Sequence, residues 1–132
     1  MSRFEWVQAG RLARNCRPGY YCRGGITKEV VDDWINEVKD HGVKSIICFL
    51  KDELSEYGAI PGGLIEYYRN NGFEVEHIPV TDYQTPPLSE DDLKKTCEAF
   101  IRLPKPVLVH CSAGRDRTGC AVYHLKQLPI SD

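Results

Sequence analysis

Pro106-Val107-Leu108-Val109-His110-Cys111-Ser112-Ala113-Gly114-Arg115-Asp116-Arg117-Thr118-Gly119 is the stretch whose reading decides the fold. A short apolar run reads as a buried strand ending at His110, a turn follows with a glycine free to take positive φ, and a helix is expected to begin near Thr118. Such a strand–loop–helix points successive backbone N–H groups and the positive end of the helix dipole into one concavity that suits a tetrahedral oxyanion. Cys111 opens the loop, and Arg117 follows six positions later. A thiol in that field is expected to ionise more readily than a free cysteine and so to be a nucleophile. Arg117 offers a planar fork for two phosphate oxygens, and the Thr118 hydroxyl can donate to the sulfur and improve it as a leaving group. The competing reading of Cys111 is a small hydrophobe at a strand end.

This loop resembles the signature of the cysteine-dependent protein tyrosine and dual-specificity phosphatases, His-Cys-x-x-Gly-x-x-Arg-(Ser/Thr)-Gly, at every fixed position. Low-molecular-weight phosphatases, arsenate reductases and rhodanese-like phosphatases also place cysteine and arginine six apart. The late position of the loop and its Arg-Thr-Gly ending fit the tyrosine and dual-specificity group better. Phe4, Trp6, Val7, Gly10, Arg11, Leu12 and Ala13, the helix before Ile46–Leu50 and the loop together look like the small atypical dual-specificity phosphatases. The resemblance implies a three-layer cysteine-phosphatase-like α/β fold, with a central, mostly parallel sheet flanked by helices.

It also implies hydrolysis of phosphomonoesters through a cysteinyl-phosphate, on phosphotyrosine and also phosphoserine or phosphothreonine of proteins, with no cofactor and no metal. Two alternatives stay open. Arg115-Asp116-Arg117-Thr118-Gly119 is similar to a Lys-Asp-Arg-Thr-Gly variant in bacterial phosphatases that accept phosphoinositides, which keeps lipid, inositol and other non-protein phosphates as substrates. The other alternative is an inactive phosphate-binding module. Sulfur transfer by a rhodanese-like carrier is a third, more distant reading.

Displacing phosphate from an alcohol or phenol calls for a general acid from outside the loop, on a segment that closes over the substrate. The resemblance implies an aspartate just after the strand preceding the last helix, and Ile78 to Pro87 is the matching stretch. Asp82 is therefore the candidate acid, against the plainer reading of a turn aspartate. Asp91 and Asp92 are explained by helix capping. His110 is expected beneath the loop, orienting it and favouring the thiolate. Ser112, Ala113, Gly114, Arg115 and Asp116 are expected to bind substrate phosphate mainly through backbone N–H groups. Gly114 is assigned to close backbone approach and Gly119 to helix packing. Asp116 needs to point away from the anion or to pair. Tyr20, Tyr21 and Tyr83 are candidates for the cleft wall, and Cys48, Cys97 and Cys120 for a reversible disulfide with Cys111, each against ordinary packing.

The chain of 132 residues reads as one domain, 1–132, with 42% apolar and 27% charged residues. No apolar stretch reaches the length of a membrane span, and Met1-Ser2-Arg3-Phe4-Glu5-Trp6 has no signal-peptide core, so a cytoplasmic protein without integral membrane association is expected. Six cysteines then read as reduced thiols, and no zinc spacing occurs. Phosphorylated proteins, peptides or phosphoinositides are the expected partners, and nucleic acid is not.

The formal charge of −2 conceals a segregation. Residues 1–28 carry six basic groups against Glu5, and residues 52–98 carry eleven acidic groups against three basic ones. The acidic part reads as a solvated face, whereas Arg14 and Arg17 are candidates for steering anions into the cleft. Strands are expected at 4–7 and 10–14, a Thr27-capped helix to His41, a strand at 43–50, a polar stretch, a helix at 61–71 and a strand at 73–80. A Ser89-capped helix to Arg102 and the strand 106–110 complete the pattern. The resemblance implies more helices than residues 119–132 can supply, so the C-terminal part is expected to be short or missing, leaving apolar surface open to self-association.

Overall fold

A computed structural model describes residues 3–130; Met1, Ser2, Ser131 and Asp132, part of the stretches read for a leader and for closing helices, lie outside the described residues. The strands are β1 (Glu5–Gln8), β2 (Leu12–Asn15), β3 (Ser45–Cys48), β4 (Glu74–His77) and β5 (Val107–His110). They form one sheet in the order β1-β2-β5-β3-β4, antiparallel between β1 and β2 and parallel elsewhere. The helices are α1 (Lys28–Asp40), α2 (Leu64–Asn70), α3 (Glu90–Arg102) and α4 (Asp116–Leu125), with a 3₁₀ segment at Asp52–Tyr57.

Alternation along the strands sorts side chains to two faces. Leu12, Ile47, Val107 and Val109 pack with Ala99 and Phe100 of α3 and Ala121, Val122 and Leu125 of α4. Ala13, Ile46, Cys48 and Leu108 pack on the other face with Val31, Ile35 and Val38 of α1 and Leu64 and Tyr68 of α2. The result is the three-layer α/β arrangement expected from the sequence. β3 and β5 are buried on both faces, which is why they read as continuous apolar runs.

Local signals account for the helix starts. Thr27 Oγ1 accepts from Val30 N, and Ser89 with Asp92 makes a reciprocal capping box at α3. Several bounds differ from expectation. The strands expected at 43–50 and 73–80 shorten to four residues each, although Phe49 N still donates to the His110 carbonyl and Ile78 N to that of Cys48 just beyond their ends. The helix expected at 61–71 begins at Leu64, after Gly62 and Gly63 take positive φ. α4 begins at Asp116 rather than near Thr118; Arg115 is already its cap, so Arg117 and Thr118 stand in its first turn.

Asn15, His110, Cys48 and His77 are aligned in register, so the loops after four parallel-running strands emerge together at one edge. β5, last of the strands in sequence, lies between β2 and β3. The crevice at such a reversal of strand order is where open α/β sheets place ligands.

Candidate active site

The loop Cys111–Arg115 runs from the end of β5 to the start of α4, with Cys111 only 2% exposed. Gly114 has φ of +77°, and a Cβ there would come within 2.5 Å of the Asn15 carbonyl oxygen. Backbone conformation and contact with the end of β2 both demand glycine here. Gly119 differs from expectation: a Cβ would meet only Arg14 Nη2, at 3.6 Å, so packing does not require it. Asp116 is exposed in the first turn of α4, where the helix dipole favours a carboxylate, and this resolves its apparent conflict with an anion site.

Arg117 is the largest fully buried side chain, 1% exposed. Its Nη1 donates to the carbonyls of Phe49 (3.1 Å) and Val80 (2.7 Å), at the exits of β3 and β4. Its Nη2 meets Glu53 Oε2 at 2.5 Å and Asp82 Oδ2 at 3.3 Å. Asp82, 29 positions before Cys111 in sequence, is thus brought against the arginine of the loop, while Asp91 stays outside in an ion pair with Lys95 and Asp92 in its capping box. Asp82 Oδ1 accepts from the Tyr83 amide at 2.9 Å, so the turn role is present beside the contact with Arg117. Two donors of the cluster, Arg117 Nε and the Thr118 hydroxyl, are buried with no hydrogen-bond partner among the described residues, so the expected donation from Thr118 to the Cys111 sulfur is not made in this structure.

Glu53 was not among the residues singled out by sequence, and it lies in what reads as a polar stretch. Its Oε1 accepts from the Lys51 amide at 3.1 Å. Burial pushes its carboxyl up, but the hydrogen bond from Arg117 and those from backbone amides outweigh this and hold it below the ordinary value. For Arg117, burial alone would lower the guanidinium value, and the Glu53 carboxylate reverses it.

A second set of contacts grips the start of the loop. Arg17, 8% exposed, donates its backbone N–H to Ser112 O at 2.9 Å and its Nε to Ser112 Oγ at 3.1 Å. Nη1 reaches the Tyr57 hydroxyl at 3.2 Å and Nη2 both oxygens of Glu56, while Tyr57 donates to Pro18 O at 2.6 Å. Arg14 Nη2 donates to Gly114 O at 2.7 Å. Arg14 and Arg17 therefore flank the loop, but as its struts rather than as free steering charges. Ser112 correspondingly contributes its side-chain oxygen as well as its backbone.

His110 lies beneath the loop, fully buried, and burial lowers its pKa to about 4. The imidazole is neutral near pH 7. Nδ1 faces the Cys111 carbonyl at 3.1 Å, which can only accept, so Nδ1 carries the proton and Nε2 accepts from the Tyr68 hydroxyl at 2.9 Å. A hydrogen bond, not a positive charge, is what His110 supplies to the loop.

All six cysteines are free. Burial pushes the Cys48 thiol up to about 12 and raises that of Cys97, which disfavours both as attacking thiols. Tyr83 is 90% exposed beside Asp82, whereas Tyr20 and Tyr21 form an edge-on pair on the Arg17 side. Among the described residues, no group of three His, Cys, Asp or Glu is placed to hold a metal ion, and no helix is long and apolar enough to cross a membrane.

Residues 22–126 match a family described as a polymorphic toxin system DSP-PTPase phosphatase. No curated protein matches. Among solved structures, Tk-PTP in its active form is similar at 20% identity and TM-score 0.64, over 96% of this chain and 76% of that one. The core catalytic domain of the PP-IP phosphatase SIW14 from S. cerevisiae is similar at 19% identity and TM-score 0.64, over 95% of this chain and 65% of that one. PTPMT1 in complex with PI(5)P is similar at 14% identity and TM-score 0.66, over 93% and 70%. These likenesses concern the fold.

Proposed function

The chain belongs to the polymorphic-toxin-system DSP-PTPase phosphatase family, and from that premise we propose that it is a phosphomonoesterase working through a cysteinyl-phosphate on Cys111. The observation that carries the reading is the convergence of Arg117 and Asp82, 3.3 Å apart, on the loop that Cys111 opens. In the first step the Cys111 sulfur attacks phosphorus, the bond to the leaving oxygen breaks, and Asp82 gives that oxygen its proton. In the second, water attacks the phosphocysteine, Asp82 takes the proton, and the sulfur leaves with help from the Thr118 hydroxyl. Loop amides from Ser112 to Asp116 and the Arg117 guanidinium match the charge on the equatorial oxygens throughout.

The donor count of Arg117 adds a step. A guanidinium has five N–H groups; two serve the Phe49 and Val80 carbonyls, two face Glu53 and Asp82, and one, on Nε, is uncommitted. A phosphate gripped by two parallel hydrogen bonds takes Nε and one hydrogen of Nη2. The looser partner, Asp82, is the one displaced, which frees its carboxyl group to face the leaving oxygen.

Phosphotyrosine and phosphoserine or phosphothreonine of proteins are the first substrate reading, with Tyr83 exposed beside the acid to meet an aryl group. One observation favours the second reading, a phosphoinositide or other non-protein phosphate: Arg115 stands exposed on the loop without a side-chain partner among the described residues, a surplus charge that a monophosphate does not need. A reducing, cytoplasmic setting completes the proposal and agrees with six unpaired thiols. The test is release of phosphate from an aryl phosphate without added metal. Activity that disappears in Cys111→Ser while phosphate binding persists supports the reading. An inactive wild type that still binds phosphate would make the chain a binding module.

A further inference from the structure

The basic residues of the N-terminal flank are not all consumed in bracing the loop. Beside Ala113 and Gly114 lies a cavity of about 240 Å³ lined by Arg3, Arg14, Tyr21 and Arg115, with Glu5 as its one carboxylate. Arg14 spends one donor on the Gly114 carbonyl and retains the others. The Arg3 guanidinium lies over the Tyr21 ring, 4.6 Å from its centroid, a stacking that occupies its face and leaves its edge N–H groups for an acceptor. Arg115 has no side-chain hydrogen bond or ion pair among the described residues. Three guanidinium groups against one carboxylate leave a surplus of two positive charges, the complement of a phosphate dianion.

We propose that this cavity is a second anion subsite, which holds another phosphate of the same substrate while the scissile one lies over Cys111. The proposal rests on the phosphomonoesterase reading and narrows its substrate to a compact alcohol bearing two or more phosphates on nearby carbons, such as an inositol polyphosphate. Arg115 belongs to the same tight loop as Cys111, only four residues on, so the two phosphates must be close together. A ring presents them at fixed, short separation and forfeits little conformational freedom on binding.

The same charges also explain why the flank is so one-sided. Arg17 is neutralised by Glu56, and Arg14 is partly engaged, so the unspent charge is concentrated at Arg3 and Arg115, both in the cavity lining.

The experiment compares kcat/KM on a soluble inositol monophosphate and a soluble inositol trisphosphate, with 4-nitrophenyl phosphate as reference, in wild type, Arg3→Ala and Arg115→Ala. The expected result is a preference of about tenfold or more for the trisphosphate in wild type, shrinking toward one in both variants, read as the ratio within each protein. Vesicles carrying a phosphoinositide form a parallel arm; preference for the polyphosphate in either soluble or vesicle form supports the subsite. A wild-type ratio near one with Cys111-dependent turnover of 4-nitrophenyl phosphate overturns the subsite and leaves the phosphatase reading standing. So does a preference unmoved by Arg3→Ala and Arg115→Ala, or one confined to a doubly phosphorylated peptide. No turnover of 4-nitrophenyl phosphate overturns both.

Discussion

The two walls of the loop are braced by opposite charges put to different uses. On the wall built from residues 52–82, the carboxylates of Glu53 and Asp82 face Arg117, the group proposed to grip the substrate phosphate. On the wall built from residues 14–17, arginines face the loop's own backbone and Ser112, and Glu56 and Tyr57 cross over to meet Arg17. The 3₁₀ segment Asp52–Tyr57 joins the two, sending Glu53 to one end of the loop and Glu56 with Tyr57 to the other. Residues on the acidic wall should therefore govern chemistry, and those on the basic wall the shape into which phosphate fits.

The largest effects are expected on the acidic wall. Asp82→Asn should lower kcat by roughly 10²–10⁴-fold on an alkyl phosphate, the usual worth of a positioned acid, and far less on 4-nitrophenyl phosphate, whose leaving group needs no proton. Equal losses on both would assign the acid elsewhere and break the division of labour. Glu53→Gln comes next. It strips the buried Arg117 of its closest counter-charge, and removing one partner of a buried pair costs about 3–5 kcal/mol at the upper end. Because Glu53 is not fully buried, less is expected here, together with a guanidinium that pairs more with Asp82 and so a shift in the pH profile of kcat. A pH profile identical to wild type would show that Glu53 is only scaffolding.

On the basic wall, Arg17→Ala should act through binding. It removes the bonds to Ser112 Oγ, Tyr57 and Glu56, worth on the order of 1–3 kcal/mol together. The expected signature is a raised KM and weaker inhibition by inorganic phosphate, with kcat changed less; Arg17→Lys should restore charge but not the three-way bonding. A fall in kcat with unchanged KM would place Arg17 with the chemistry and erase the contrast between walls.

The contrast also separates what sequence made legible from what it hid. The loop could be read because strand, cysteine, glycine, arginine and helix start are contiguous, and each has one local physical job. Asp82 could be singled out only because the resemblance to the phosphatases implies an aspartate in the stretch 78–87, and its distance from Cys111 leaves room for a helix and a strand between them. Glu53 and Arg17 could not. Their partners are 64 and 95 residues away, and the segment 52–57 shows neither helical nor strand periodicity, so nothing local distinguishes Glu53 from the solvated acids around it. The same blindness hid what Arg14 and Arg17 do locally: composition records their sign but not that a carbonyl takes one donor of Arg14 and that hydroxyls and a carboxylate take those of Arg17.

The smallest expected effect sits beneath both walls, at His110. Its folded pKa of about 4 lies below the ordinary 6.5, so the unfolded chain binds the proton first as pH falls. The stability from keeping this imidazole neutral is fully present above about pH 6.5 and is lost progressively as pH falls toward 4, at most on the order of 3 kcal/mol. Carboxylates titrate in the lower part of that window, so the difference in Tm between wild type and His110→Gln is the quantity to follow; it should narrow from pH 7 to pH 4.5. Tyr68→Phe should cost about 1 kcal/mol at pH 7, by leaving Nε2 without its donor, and should not abolish the pH dependence, because burial rather than Tyr68 depresses the pKa. A wild-type minus His110→Gln difference that stays flat across this range would mean that water reaches the ring and that the floor of the loop is softer than either wall.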